Sequence, residues 1–202
     1  MFSSTLLLPL ATLAALVHGH GYILTPSMRM PGNTTTSACG TQVVEAILSD
    51  KTSHVEGLPE IASTDPDYDA SKCNLWLCRG VQYEEDGDDA PQTYALGEIV
   101  NIKINLTIPH LGSANVSVVD TKTDTIVGEG EPLLLWSEGY ADELLFYGDG
   151  LPANQTDFNI TIPDTLEGKC AEAGECVIQW WWYGEGADQT YESCIDFTIA
   201  SD

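Results

Sequence analysis

Residues 98–108 read Glu98-Ile-Val-Asn-Ile-Lys-Ile-Asn-Leu-Thr-Ile108. Val100, Ile102, Ile104, Leu106 and Ile108 fall on one side of an extended chain, and Asn101, Lys103, Asn105 and Thr107 on the other. Strict alternation over this length marks a strand with one face in a core and the other in water. Parallel α/β sheets bury both faces. The pattern therefore points to an all-β architecture, an immunoglobulin-like β-sandwich with long loops and a short helix.

Toward the C-terminus the same period recurs. Asn115 to Val119 alternates, Thr121 to Asp124 offers a turn, and Thr125 to Val127 follows it. Asp157 to Ile162 places Phe158, Ile160 and Ile162 inward. Cys176 to Tyr183 and Ile195 to Ile199 supply two further strands, with Trp180 and Trp182 on one face as core residues, sugar stacking by one of them being the alternative. Toward the N-terminus the pattern fades. Gln42 to Ser49 carries Val43, Val44 and Ile47 at helical spacing. Residues 50–95 are irregular and crowded with Asp, Glu, Pro and Gly, and the acidic run Glu84 to Asp89 reads as a solvated loop. Residues 20–40 read as loop.

Leu6 to Val17 is an apolar run too short to span a membrane, and Val17 and Gly19 suit cleavage after Gly19. The expectation is a signal peptide over 1–19 and a single secreted domain over 20–202. The formal net charge of −24 repels nucleic acid phosphates and anionic membranes; it suits a neutral substrate or acidic surroundings, and solubility alone also accounts for it. No nucleic acid and no membrane partner is expected, and the domain is expected to act as a monomer. Six cysteines behind a signal peptide imply three disulfides, with 15 pairings open. One arrangement staples Cys73 to Cys78 and Cys170 to Cys176 and ties Cys39 to Cys194. Asn-x-Ser/Thr sequons at Asn33, Asn105, Asn115, Asn154 and Asn159 fit the same compartment, and Asn105 and Asn159 fall on predicted outer faces.

Chemistry concentrates on few residues. His18 leaves with the signal, so His20, His54 and His110 remain. Cleavage before His20 frees an α-amine that, with the imidazole Nδ1, closes a chelate ring on a metal. A second imidazole completes three nitrogens, a set that favours Cu(II). His110 ends the strand at NLTIPH and begins the connection LGSAN, so two rigid strands hold it. It is preferred over His54, which lies in irregular chain. Gln189 and Tyr191 stand two apart, so an extended segment points both to one side. There a phenol can fill an axial position beside an amide that hydrogen-bonds a bound oxygen species.

A chain opening His20-Gly21-Tyr22-Ile23-Leu24-Thr25-Pro26 resembles the lytic polysaccharide monooxygenases. Gln189, Tyr191 and Cys194 in Gln-x-Tyr-x-x-Cys resemble the fungal, cellulose-active branch. His110 and Gly112 in His-x-Gly are similar to that family's second brace histidine. The resemblance implies copper held by the amine and Nδ1 of His20, an imidazole nitrogen of His110 and an axial Tyr191, with Gln189 beside them. It implies oxidative cleavage of a polysaccharide with an external electron donor. Tyr22, Trp136, Tyr140 and Tyr183 are the candidates for a sugar-facing surface, but core packing is the role expected of each. Two other functions fit the same residues: a non-catalytic extracellular copper carrier, and a metal-free sugar-binding sandwich.

Overall fold

The computed structural model describes residues 20–85, 91–128 and 130–200. The expected signal segment and the acidic residues 86–89 lie outside them. Two sheets pack face to face. One holds β1 (His20–Thr25), β3 (Ile99–Ile108) and β7 (Asp157–Thr161), in the order β1-β3-β7. The other runs β2 (Gln92–Tyr94), β9 (Gln189–Ile199), β8 (Cys176–Gly184), β4 (Gly112–Asp120) and β5 (Thr125–Ile126), with β6 (Leu134–Tyr140) also paired to β4. Pairing is antiparallel except between β2 and β9. This is the expected β-sandwich.

Alternation sets the core. Val100, Ile102, Ile104 and Leu106 are buried, and they meet Ile178, Trp180, Trp182, Tyr191 and Ile195 from the opposite sheet. Ile108, at the end of β3, is half-buried. Trp180 and Trp182 are wholly enclosed, so both are core residues, as expected.

The N-terminal third departs from the sequence reading. His20 to Thr25 is a strand rather than loop, because its backbone completes the edge of β3. Besides the expected helix, α2 (Thr41–Ser49), two short helices form, α1 (Asn33–Cys39) and α3 (Leu58–Thr64). Together they make a cap with its own small core of Ala38, Val43, Ile47, Leu58, Ala62, Leu75 and Val81. Glu84, read as part of a solvated loop, instead closes the start of α1. Its carboxylate accepts from the amides of Gly32, Thr34 and Thr35 at 3.1, 2.9 and 2.9 Å.

Disulfides join Cys39 to Cys73, Cys78 to Cys194 and Cys170 to Cys176. Only the last of the paired staples considered from spacing forms. Cys39 and Cys73 both lie in the cap, so their bond closes the cap's core, and Cys78 is left to tether the cap to β9. Of the sequon asparagines, Asn159 is exposed, while Asn105 is half-buried with its amide donating to the Tyr22 hydroxyl at 3.2 Å.

Candidate metal centre

His20 and His110 reach one end of the sandwich through the same strand pair. β1 begins opposite the end of β3, with His20 facing Ile108. Thr107 donates its hydroxyl to the His20 carbonyl at 3.2 Å. After Ile108 the chain needs only Pro109, His110 and Leu111 before β4 starts at Gly112, a connection shorter than the five residues read from sequence.

Two glycines permit this turn. A Cβ on Gly112 would lie 1.8 Å from the Tyr183 carbonyl oxygen, which accounts for the glycine in His-x-Gly. A Cβ on Gly184 would lie 2.7 Å from that of His110. The Trp182 indole then donates to the His110 carbonyl at 3.1 Å and pins the backbone. The His110 ring is largely enclosed. Its Nδ1 lies 3.4 Å from the Glu143 carboxylate, at the start of α4 (Glu143–Tyr147). Its Nε2 is buried and has no hydrogen-bond partner among the described residues. Such an atom is costly unless something else ligates it.

Gln189 and Tyr191 stand at the same end. Gly112, Gly184 and Gln189 form one row across β4, β8 and β9. As the extended reading expects, the two side chains share a side. The Tyr191 hydroxyl donates to Gln189 Oε1 at 2.6 Å. The Tyr191 ring stacks on Trp182 at 4.3 Å, and Trp182 in turn lies 6.5 Å from the His110 ring.

The cap supplies the other wall. His54, the competing second ligand, lies edge-on to Tyr191 at 6.4 Å, so the fold brings all three histidines to this end. Its Nδ1 is 3.2 Å from Glu56, whose carboxylate accepts the Thr190 amide at 2.9 Å. Burial opposes the Glu56 charge, but these partners outweigh it and hold the carboxyl below its usual range. Asp50 lies 3.2 Å from His20 Nε2. Burial likewise opposes its charge, yet the Thr52 hydroxyl and amide, with His20 and Arg79, keep its carboxyl low. Beneath them Arg79 is buried in the left-handed region, with φ 60°. It donates to the carbonyls of Lys51 and Asp50 at 2.8 and 3.2 Å. Its own amide donates to Glu192, whose carboxyl burial pushes up to about 8.

Among the described residues no three or more His, Cys, Asp or Glu side chains gather as a metal site. A brace of one amine and two rings requires no such cluster. The orphaned His110 Nε2 fits a metal that takes nitrogen. Sequence reasoning missed Asp50, Arg79 and Glu143, and no local signal marks them. Of the surface candidates, Tyr22 and Tyr140 are buried, and Trp136 and Tyr183 are half-buried. Exposed instead are Leu111, next to His110 in the chain, and Leu144 and Tyr147 of α4, the helix that begins at Glu143, at 42, 86 and 70%.

No curated protein sequence matches the chain. Similar solved structures include a chitin-binding domain from Burkholderia pseudomallei, at 12% identity and TM-score 0.47, covering 90% of this chain and 100% of that one. The catalytic domain of a lytic polysaccharide monooxygenase from Listeria monocytogenes matches at 15% identity and TM-score 0.44, over 90% and 100%. A lytic polysaccharide monooxygenase from Thermobia domestica, in the Cu(I) state, matches at 17% and 0.42, over 90% and 99%. The family model described as "Lytic polysaccharide mono-oxygenase, cellulose-degrading" matches residues 20–197. That model is of the bacterial type, so the kinship with the fungal branch drawn from Gln189, Tyr191 and Cys194 is not supported. The match starts at His20 and runs through nearly all of β9, and on it the chain belongs to the lytic polysaccharide mono-oxygenase family.

Proposed function

We propose that the chain is secreted, is cleaved before His20, and acts as a copper-dependent monooxygenase that breaks polysaccharide chains. The observation that carries this reading is the buried, unpartnered Nε2 of His110 at the end of the sandwich where β1 begins. His20 would hold the copper through its freed amine and Nδ1 and His110 through Nε2, with the Tyr191 phenol as a further ligand. Copper, when bound, supplies the redox chemistry that couples an external electron donor and dioxygen or hydrogen peroxide to oxidation of a C–H bond beside the glycosidic linkage.

The chain's own residues supply the rest. Trp182 and Gly184 hold His110 in place. Gln189 accepts from Tyr191 and so fixes the direction of the phenol. Leu111 beside His110, and Leu144 and Tyr147 on α4, offer a neutral polysaccharide exposed apolar side chains on a molecule that is otherwise strongly acidic.

The test uses protein processed to begin at His20. It should bind one Cu(II) with a tetragonal, nitrogen-dominated EPR spectrum, and His110→Ala should lose that spectrum while His54→Ala keeps it. With reductant and cellulose, chitin, xylan or glucan, oxidised oligosaccharides should appear by mass spectrometry. Tight copper binding with no product on any of them would favour the carrier.

A further inference from the structure

We propose that Asp50 and Glu143 are positioning residues that choose which nitrogen each histidine turns to the metal. The inference rests on the function proposed above and adds to it two carboxylates outside the ligand set.

A neutral imidazole carries one N–H and one lone pair. A carboxylate beside one nitrogen draws the proton there and leaves the lone pair on the other. Asp50 stands by Nε2 of His20, at 3.2 Å. The lone pair is thereby assigned to Nδ1, the nitrogen that closes a chelate ring with the α-amine. Glu143 stands by the opposite atom of the other ring, Nδ1 of His110, at 3.4 Å. The lone pair is thereby assigned to Nε2, the buried atom without a partner. Two carboxylates from different parts of the chain thus make opposite choices, and each choice is the one its ring requires.

Both carboxylates are held. Asp50 accepts from the Thr52 amide at 2.9 Å and also from the Thr52 hydroxyl. The Thr52 carbonyl accepts the Gly21 amide at 3.4 Å, so this loop grips the strand that bears His20. Arg79 fastens the loop from below through the carbonyls of Asp50 and Lys51. Arg79 follows Cys78, whose disulfide reaches Cys194 of β9, the strand that also carries Gln189 and Tyr191. Glu143 is the first residue of α4, whose start Asp142 caps by accepting from the amides of Leu144 and Leu145 at 2.7 and 3.3 Å.

The experiment uses the full mature chain from His20, as wild type, Asp50→Ala, Asp50→Asn and Glu143→Ala. Asp50→Asn keeps an oxygen for Thr52 and guards against a misfolded Ala variant. In metal-free protein, ¹⁵N NMR of the rings should show the proton on Nε2 of His20 and on Nδ1 of His110. Each Ala variant should give mixed tautomers at its own histidine alone, and its Cu(II) affinity by calorimetry should fall about 10- to 100-fold. Asp50→Asn should recover part of that loss. Wild-type affinity in both Ala variants, or a wild-type His20 protonated on Nδ1, would overturn the inference. If the wild type bound no copper, the proposed function would fail, and the tautomers of the metal-free protein would still decide this point.

Discussion

The sandwich and the helical cap are built on different principles. In the sandwich β3 and β7 declare their inner face every second residue, and Val100 to Leu106 meet Ile178 to Trp182 across a continuous apolar interior. In the cap, three short helices share a much smaller core. The cap is secured by point attachments: a disulfide within it, a second to β9, a carboxylate at the start of α1, and a buried arginine. Distributed burial resists the loss of any one contact, whereas point attachments fail singly. The candidate site lies where the two meet, with His110, Gln189 and Tyr191 from the sandwich and Asp50 from the cap.

The comparison breaks most sharply at Trp182. Trp182→Ala removes a fully buried ring from the sandwich, and the expected cost is about 3–5 kcal/mol of global stability. Urea unfolding should show one cooperative transition at a much lower midpoint. Cap and sandwich melting separately in that variant would contradict a shared dependence on the sandwich.

Removing the tether comes next. Cys78→Ser with Cys194→Ser should cost about 2–4 kcal/mol. Hydrogen exchange should speed up in α1–α3 first, while β4 and β8 keep their protection. Uniform acceleration across both regions would erase the distinction.

Glu84→Gln is milder, at about 0.5–1 kcal/mol, because the carboxylate caps one partly exposed helix end. Burial opposes the Glu84 charge, but the Thr34 and Thr35 amides outweigh it and lower the carboxyl's pKa. A lowered carboxyl stabilises the fold above its unfolded pKa and loses that contribution as pH falls through the folded one. Variant and wild type should therefore differ in melting temperature at pH 7 and converge in strong acid. A gap that persisted at pH 2 would assign the effect to something other than charge.

Tyr147→Ala should have the smallest effect on stability, within about 0.5 kcal/mol, because the side chain is 70% exposed. Pull-down on insoluble polysaccharide should nevertheless weaken. Undiminished binding would take Tyr147 out of the proposed polysaccharide surface.

The legibility of the chain follows the same divide. β3 and β7 show in the sequence because burial on one face imposes a period of two, whereas β2, β6 and the first half of β9 carry no such pattern. The α1 segment Asn-Thr-Thr-Thr-Ser-Ala-Cys has no apolar stripe, and tertiary contacts make it a helix. β1 was hidden because the β3 edge, not its own pattern, makes it a strand. At the site, His20, His110, Gln189 and Tyr191 announce themselves by type and spacing. Asp50 and Glu143 do not, since Glu143 reaches His110 across 33 residues and acidic side chains are abundant in this chain.

The three-residue link from β3 to β4, which crosses from one sheet to the other, turns the end of β3 into a ruler. Deleting one residue from the middle of 99–108 would swap inside for outside along part of that strand. Deleting two would preserve the facing but draw His110 back by roughly 6.6 Å, more than the length of a metal–nitrogen bond. The place where β3 stops is therefore a dimension of the candidate metal centre, and loop grafting or consensus trimming should leave that count intact.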